Sequence, residues 1–287
     1  MTSVPSLGKG DNTIGAALAA VRDRIPGSEA RLLLRHALGC AAAYLEAHRD
    51  DELPATAAAR FAEMASRREA GEPIAYLTGV REFFGRAFLV TPDVLIPRPE
   101  TELLVELGIA KLAGHGAAPQ ILDLGSGSGC VAVSLALALP AAQVTALDVS
   151  AAALGVVQLN AQRHGVAISC IESDWFAALD DLCYDLIVAN PPYVATGDIH
   201  LRQGDLRFEP PQALASGADG LDAIRCIVGG AAKHLQPGGW LLFEHGYDQA
   251  EMAAALLRAA RYTEIEQHRD LAGIVRVSAG RKVLATG

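Results

Sequence analysis

The chain has 287 residues and a formal net charge of −9, from 24 Lys+Arg against 33 Asp+Glu. That length fits one large domain, or a medium domain carrying a smaller one, and a composition that is 51% hydrophobic but only 5% aromatic specifies a folded core and excludes a disordered chain. The acidic balance argues against a protein that coats nucleic acid through a general basic surface, which needs clustered Lys and Arg.

Met1-Thr2-Ser3-Val4-Pro5 shows no basic region leading into a long apolar run, so no export signal is read there and the expected location is the cytoplasm. Thr13 is placed to cap a helix running through Arg24, Pro26-Gly27 ends it, and Ser28 is placed to cap a second helix carrying Leu32, Leu33, Leu34 and Leu38. Pro54 opens a third amphipathic stretch through Arg68, with Phe61, Met64 and Ala65 at helical spacing. Residues 1–73 therefore read as a small helical domain. From Ile74 to Val94 the aromatics Tyr76, Phe83, Phe84 and Phe88 stand among glycines, which predicts a β-hairpin and makes 74–97 a connector. Pro97-Arg98-Pro99 is a stiff extended segment, and Glu100-Thr101-Glu102 supply the acidic first turn of the helix that opens the last domain, 98–287.

After Pro119 the pattern becomes strand, glycine loop, helix, repeated. Ile121–Leu124 is a strand, Cys130–Leu139 a helix, Val144–Leu147 a strand and Ala151–His164 a helix. Val166–Ile171, Tyr184–Ala189 and Trp240–Glu244 are further strands, and Tyr262–Gln267 with Gly273–Ser278 form an antiparallel edge. The alternation predicts an open, mostly parallel α/β sheet. Cys130–Leu147 contains no charged residue, but Pro140 and Gln143 interrupt it, so it reads as a buried helix and strand and not as a membrane span. The five cysteines form no C-x-x-C pair and the eight histidines are scattered, so no metal site is indicated.

Three motifs carry chemistry. Asp123-Leu124-Gly125-Ser126-Gly127-Ser128-Gly129 joins a strand to a helix; its glycines allow close backbone approach, and the helix N-terminus offers N–H groups to an anionic group. It departs from the dinucleotide fingerprint at Cys130. Asp148 ends the next strand, where a carboxylate can accept both hydroxyls of a ribose or cap the helix that follows; NAD and S-adenosylmethionine both satisfy the first reading. Asn190-Pro191-Pro192-Tyr193 follows the apolar strand Leu186–Ala189. Its prolines remove two N–H donors, so a planar –NH₂ group can be held by the Asn190 oxygen and the Pro191 carbonyl, with Tyr193 as an aromatic wall.

Together these motifs resemble the class I S-adenosylmethionine-dependent methyltransferases that act on an amide or exocyclic amine. More closely, the chain resembles the release factor glutamine methyltransferases, the HemK/PrmC family. That likeness extends to Glu72–Gly79, Glu82–Gly85, Val94–Glu102, Ser173–Phe176, Glu209–Leu214 and Asp219–Leu221. It implies a Rossmann-like class I methyltransferase sheet, with S-adenosylmethionine on Gly125, Ser126, Gly127, Ser128 and Gly129, Asp148 on the ribose, Asp174 and Trp175 beside the adenine, and Asn190 also in contact with the cofactor. Asn190, Pro191, Pro192 and Tyr193 would hold a glutamine side chain of a release factor. The resemblance further implies a monomer without a membrane or DNA partner. Related glutamine methyltransferases of ribosomal proteins differ after the first Pro-Arg, so Pro97-Arg98-Pro99-Glu100-Thr101 favours the release factor branch. A DNA adenine-N6 methyltransferase shares the Asn-Pro-Pro-Tyr platform, but the −9 charge and the lack of a basic run disfavour it. An NAD-dependent dehydrogenase is disfavoured by Cys130, and an inert adaptor is the reading from another class. Arg98 and Glu100 are read as the floor of the site or an ion pair, and Glu209 and Asp219 as solvated charges.

Overall fold

The computed structural model describes residues 12–116, 118–180 and 182–284; Met1–Pro5, read above for an export signal, lie outside them. The chain divides into two compact units, one ending at Gly79 and one beginning at Val80.

The first unit is helical: α1 (Ile14–Ala20), α2 (Gly27–Leu38), α3 (Ala42–Ala47), α4 (Ala55–Glu69) and α5 (Ile74–Thr78). Thr13 caps α1 by accepting from the Ala16 N–H at 3.1 Å, but α1 ends at Ala20 and not at Arg24. Pro26, not Ser28, stands at the N-cap of α2, and Ser28 falls inside its first turn. Leu33, Leu34, Phe61 and Met64 lie on the apolar faces of α2 and α4 and fill the core of this unit. Arg68 donates to both oxygens of Glu29, tying α4 to α2. Residues 74–78 are a helical turn and not the start of a hairpin. Pro73, with φ −59°, opens it, the Thr78 hydroxyl donates back to the Ile74 carbonyl at 3.0 Å, and Gly79 ends it with a left-handed φ of 70°.

The second unit begins with the expected hairpin, β1 (Val80–Phe83) and β2 (Arg86–Leu89). Its two-residue turn, Phe84-Gly85, has positive φ at both positions, which matches the twist of the flanking strands. A 3-10 turn over Pro99–Thr101 leads into α6 (Glu102–Lys111). There follow β3 (Gln120–Leu124), α7 (Cys130–Ala138), β4 (Gln143–Asp148), α8 (Ala151–His164), β5 (Ser169–Glu172), β6 (Tyr184–Ala189), α9 (Asp222–His234), β7 (Leu235–Glu244), α10 (Ala250–Ala259), β8 (Thr263–Arg269) and β9 (Val275–Arg281). Strand β5 starts later than residue 166 because the Val166 N–H closes the last turn of α8 on the Ala161 carbonyl. Helices α3, α9 and α10 add to the elements read from sequence.

One seven-stranded sheet runs in the order β5-β4-β3-β6-β7-β9-β8, parallel through β7 and antiparallel at the β9 and β8 edge. Period-two alternation sorts its side chains: Ile121, Leu186, Val188 and Leu242 face one layer with α6, α7 and α8, while Leu122, Leu124, Ile187, Leu241 and Phe243 face the other with α9 and α10. The order reverses between β3 and β6, because β4 lies on one side of β3 and β6 on the other. A crevice therefore opens at the carboxyl ends of these two strands, where the Gly125 loop and the Asn190 loop emerge.

Asn160 on α8 locks the glycine loop to the hairpin. Fully buried, it accepts from the Leu89 N–H at 2.7 Å and donates to the carbonyls of Leu89 at 2.9 Å and Ser128 at 2.8 Å. Asn160→Ala strands these backbone groups in the core, and we expect it to lower unfolding free energy by about 2–4 kcal/mol in urea denaturation.

Candidate active site

A cavity of about 270 Å³ occupies the crevice. Gly125, Ser126, Gly127, Ser128, Asp148, Asp174, Trp175, Asn190 and Pro192 line it, together with Asp123, Arg98 and Thr101. Gly129, Pro191 and Tyr193 do not.

The glycine loop is shaped for close approach. Gly125 and Gly127 have φ of 71° and 53°, and a Cβ on either would meet nothing within 4 Å, so the loop's own backbone forms the wall on this side. Gly129 has a different task, since a Cβ there would stand 3.0 Å from Val157 on α8. Behind the loop, Asp123 is 2% exposed and accepts from the Ala132 N–H at 3.2 Å, taking up one of the free donors at the start of α7. Burial pushes its pKa from 3.8 up to about 7, against the hydrogen bonds that favour the charged form.

Asp148 is tied on both oxygens. Oδ2 accepts from the Gly127 N–H and Oδ1 from the Ser150 N–H, each at 2.9 Å. The helix cap of α8 is Ser150, which accepts from the Ala153 N–H, so the capping reading of Asp148 is displaced. Each Asp148 oxygen retains a lone pair. Trp175 sits in a loop tethered by the Ser173 N–H to the Asp148 carbonyl, and it takes a left-handed φ of 48°. Its neighbour Phe176 stacks on His234 at 5.2 Å with planes 4° apart, which anchors the loop to α9.

Asn190 donates from Nδ2 to the Thr101 Oγ1 at 3.0 Å, and its Oδ1 takes no hydrogen bond from any described residue. Thr101 donates in turn to Glu244 Oε2 at 2.7 Å, and the Tyr193 hydroxyl to Glu244 Oε1 at 3.1 Å. Tyr193 is thus a strut behind the site and not a wall of it. Burial raises the pKa of Glu244 above the usual carboxylate range, opposed by these two donors and by Arg276, and raises that of Tyr193 through burial and the adjoining Glu244.

Distant segments brace the loop. The Val194 N–H donates to the Leu214 carbonyl and the Ser216 N–H to the Val194 carbonyl. Gln249 donates to the Tyr193 carbonyl at 3.0 Å, and Gly220 passes so close to that carbonyl that a Cβ would lie 2.3 Å from it. Glu209 is not solvated: it is 3% exposed, accepts from the Ile96 N–H at 3.0 Å and pairs with Arg98. Asp219 is exposed and paired with Arg225, which holds its carboxyl down at about 2. Glu100 is exposed, so the partner of Arg98 comes from 111 residues away.

Similarity to known proteins agrees with this arrangement. Residues 100–206 match the methyltransferase small domain family, and residues 12–79 match the PrmC N-terminal domain. The release factor glutamine methyltransferase of Bordetella pertussis is 55% identical over 89% of this chain and 95% of its own length. This chain belongs to the release factor glutamine methyltransferase family. The Salmonella typhimurium family member is 40% identical over 89% of this chain and 92% of its own length. The fold of the second unit is shared more widely: a Thermus thermophilus 16S rRNA N2 G1207 methyltransferase, solved with AdoMet and guanosine, aligns at TM-score 0.52 and 22% identity over 71% of this chain and 49% of its own.

Thr101, Glu244, Asn160 and Gln249 escape the sequence reading as site residues. Glu244 alone carries a signal, as the single charge closing the apolar run Trp240–Phe243, just as Asp148 closes Val144–Leu147. The Asp123 carboxyl gives a stability test. Its raised pKa keeps a proton on the folded state that the unfolded state loses near 3.8, so its contribution is full below that pH and lost as pH rises to about 7. Asp123→Asn should flatten the fall in unfolding free energy across this window by about 2–4 kcal/mol, read from denaturation midpoints at successive pH values.

Proposed function

We propose that the protein transfers a methyl group from S-adenosylmethionine to the side-chain amide nitrogen (N5) of the glutamine in the Gly-Gly-Gln motif of peptide chain release factors. The observation that carries the substrate class is the Asn190 side chain, whose nitrogen is engaged by Thr101 while its oxygen stays free beside a cavity. The free Asn190 oxygen accepts one N–H of a planar –NH₂ group, and the carbonyl of the next residue, Pro191, outside the cavity lining, is read as the acceptor for the other, a pair that suits a group with two N–H bonds.

The residues present fit the cofactor. Gly125 and Gly127 leave open space where side chains would stand, Asp148 keeps lone pairs for ribose hydroxyls, and Trp175 supports an adenine contact from the cavity wall beside Asp174. When bound, S-adenosylmethionine supplies an electrophilic methyl group on a sulfonium leaving group. The chain's own task is positioning. An amide nitrogen is a poor nucleophile because its lone pair is delocalised, and acceptors at the Asn190 Oδ1 and the Pro191 carbonyl raise its electron density while fixing its direction. No general base is needed, and the proton leaves the nitrogen to solvent after transfer.

The release factor branch is supported by Pro97-Arg98-Pro99-Glu100-Thr101 and by the relatives named above; a ribosomal protein glutamine is the alternative substrate. We read the enzyme as a cytoplasmic monomer, with residues 1–73 docking the protein substrate, 74–97 connecting and 98–287 catalysing. No helix among the described residues is long and apolar enough to cross a membrane.

Mass spectrometry of release factor incubated with enzyme and S-adenosylmethionine should find one added methyl on the Gly-Gly-Gln glutamine; an unmodified glutamine would defeat the proposal. Asn190→Ala should abolish transfer while calorimetric binding of S-adenosylmethionine largely survives. Removing the helical unit should raise KM for whole release factor far more than for a short glutamine peptide, and equal increases would remove the docking role.

A further inference from the structure

Asparagine is nearly symmetric in shape, so packing alone does not decide which end of the Asn190 amide faces the cavity. The decision comes from behind. Glu244 ends β7, is 1% exposed, and accepts a hydroxyl on each of its two oxygens, the arrangement of a carboxylate with no proton to give. The Thr101 hydroxyl has one proton, directed at Glu244 Oε2 over 2.7 Å. With that proton committed, Thr101 Oγ1 can only accept, and it accepts from Asn190 Nδ2 at 3.0 Å. Oδ1 is then turned away from Thr101 and left for a ligand. A second donor, the Tyr193 hydroxyl, occupies the other Glu244 oxygen and holds the carboxylate in place.

We propose that Glu244 and Thr101 are positioning residues that select the nitrogen of the methyl acceptor: the carboxylate sets the direction of the Thr101 hydroxyl, and the hydroxyl fixes Asn190 with its oxygen toward the cavity. Reversed, the same amide would offer N–H groups to the N–H groups of a glutamine, donor against donor, and would favour the glutamine carbonyl oxygen instead. Discrimination between the two ends of a primary amide thus rests on a carboxylate three hydrogen bonds removed from the substrate. The inference rests on the glutamine reading above and deepens it.

The test is a cycle of buried substitutions assayed on release factor and by NMR of the Asn190 side-chain amide. Thr101→Ser keeps the hydroxyl and should stay within about threefold of the wild-type kcat. Thr101→Val removes it at similar volume and should lower kcat at least tenfold, with the Kd for S-adenosylmethionine within threefold. Glu244→Leu should do the same, and the double variant should be no slower than the slower single one, because both break one chain. The Asn190 amide protons should be protected from exchange in the wild type and Thr101→Ser and exposed in Thr101→Val. Unchanged kcat and unchanged protection in Thr101→Val, or losses that multiply in the double variant, overturn the relay. If Glu244→Leu does not fold, the Val and Ser pair at position 101 decides alone. A wild type that leaves the glutamine unmodified defeats the function reading, while the exchange measurement still judges the relay.

Discussion

A carboxylate withdrawn from water is tolerable only where its oxygens find donors. The second unit withdraws three at one end of its sheet, Asp123, Glu209 and Glu244, each no more than 3% exposed. Each recruits its donors from elsewhere in the chain: Asp123 from the first turn of α7, Glu209 from Ile96 and Arg98, Glu244 from Thr101 and Tyr193. The crevice at the switch between β3 and β6 is generic to this kind of sheet. The hydrogen bonds of these three buried carboxyl groups tie the loops and helices around it to one another.

The segment 98–102 shows how densely this is encoded. Arg98 pairs with Glu209, Thr101 reaches Glu244 and Asn190, and Glu102 accepts from the Phe84 N–H at 2.8 Å, holding the tip of the hairpin. Within five residues, three side chains fasten three different parts of the second unit. Pro97 and Pro99 make this economical, because their restricted φ presets the backbone from which the side chains project.

Much of the fold is legible from local pattern. Strands β6 and β7 carry the apolar runs Leu186–Ala189 and Trp240–Phe243, the glycine loop sits between a strand and a helix, and Asn190-Pro191-Pro192-Tyr193 follows β6 as read. The misreadings have local causes too. Pro73 starts a helix where glycines and aromatics resemble a hairpin, and Val166 is claimed by the end of α8 before β5 begins. Site residues are a different matter. Asp148 and Asn190 are conspicuous because each ends an apolar strand beside a loop. Thr101 is not, since nothing in Pro99-Glu100-Thr101-Glu102 distinguishes a hydroxyl that meets a carboxylate 143 residues later from one that meets water. Glu209 and Asp219 read alike as loop charges, and only tertiary structure separates the buried one from the solvated one.

Glu244 pairs with Val277 across β7 and β9, so the carboxylate behind the site is seated beside one of the last strands in the chain. The glycine loop, Asp148, Asn190 and Thr101 all precede β7 in the chain, so the support behind the site comes from a later part of the sequence than the crevice it backs. A substitution in β9 can therefore reach the site through the seat of Glu244 without touching any residue that lines the cavity.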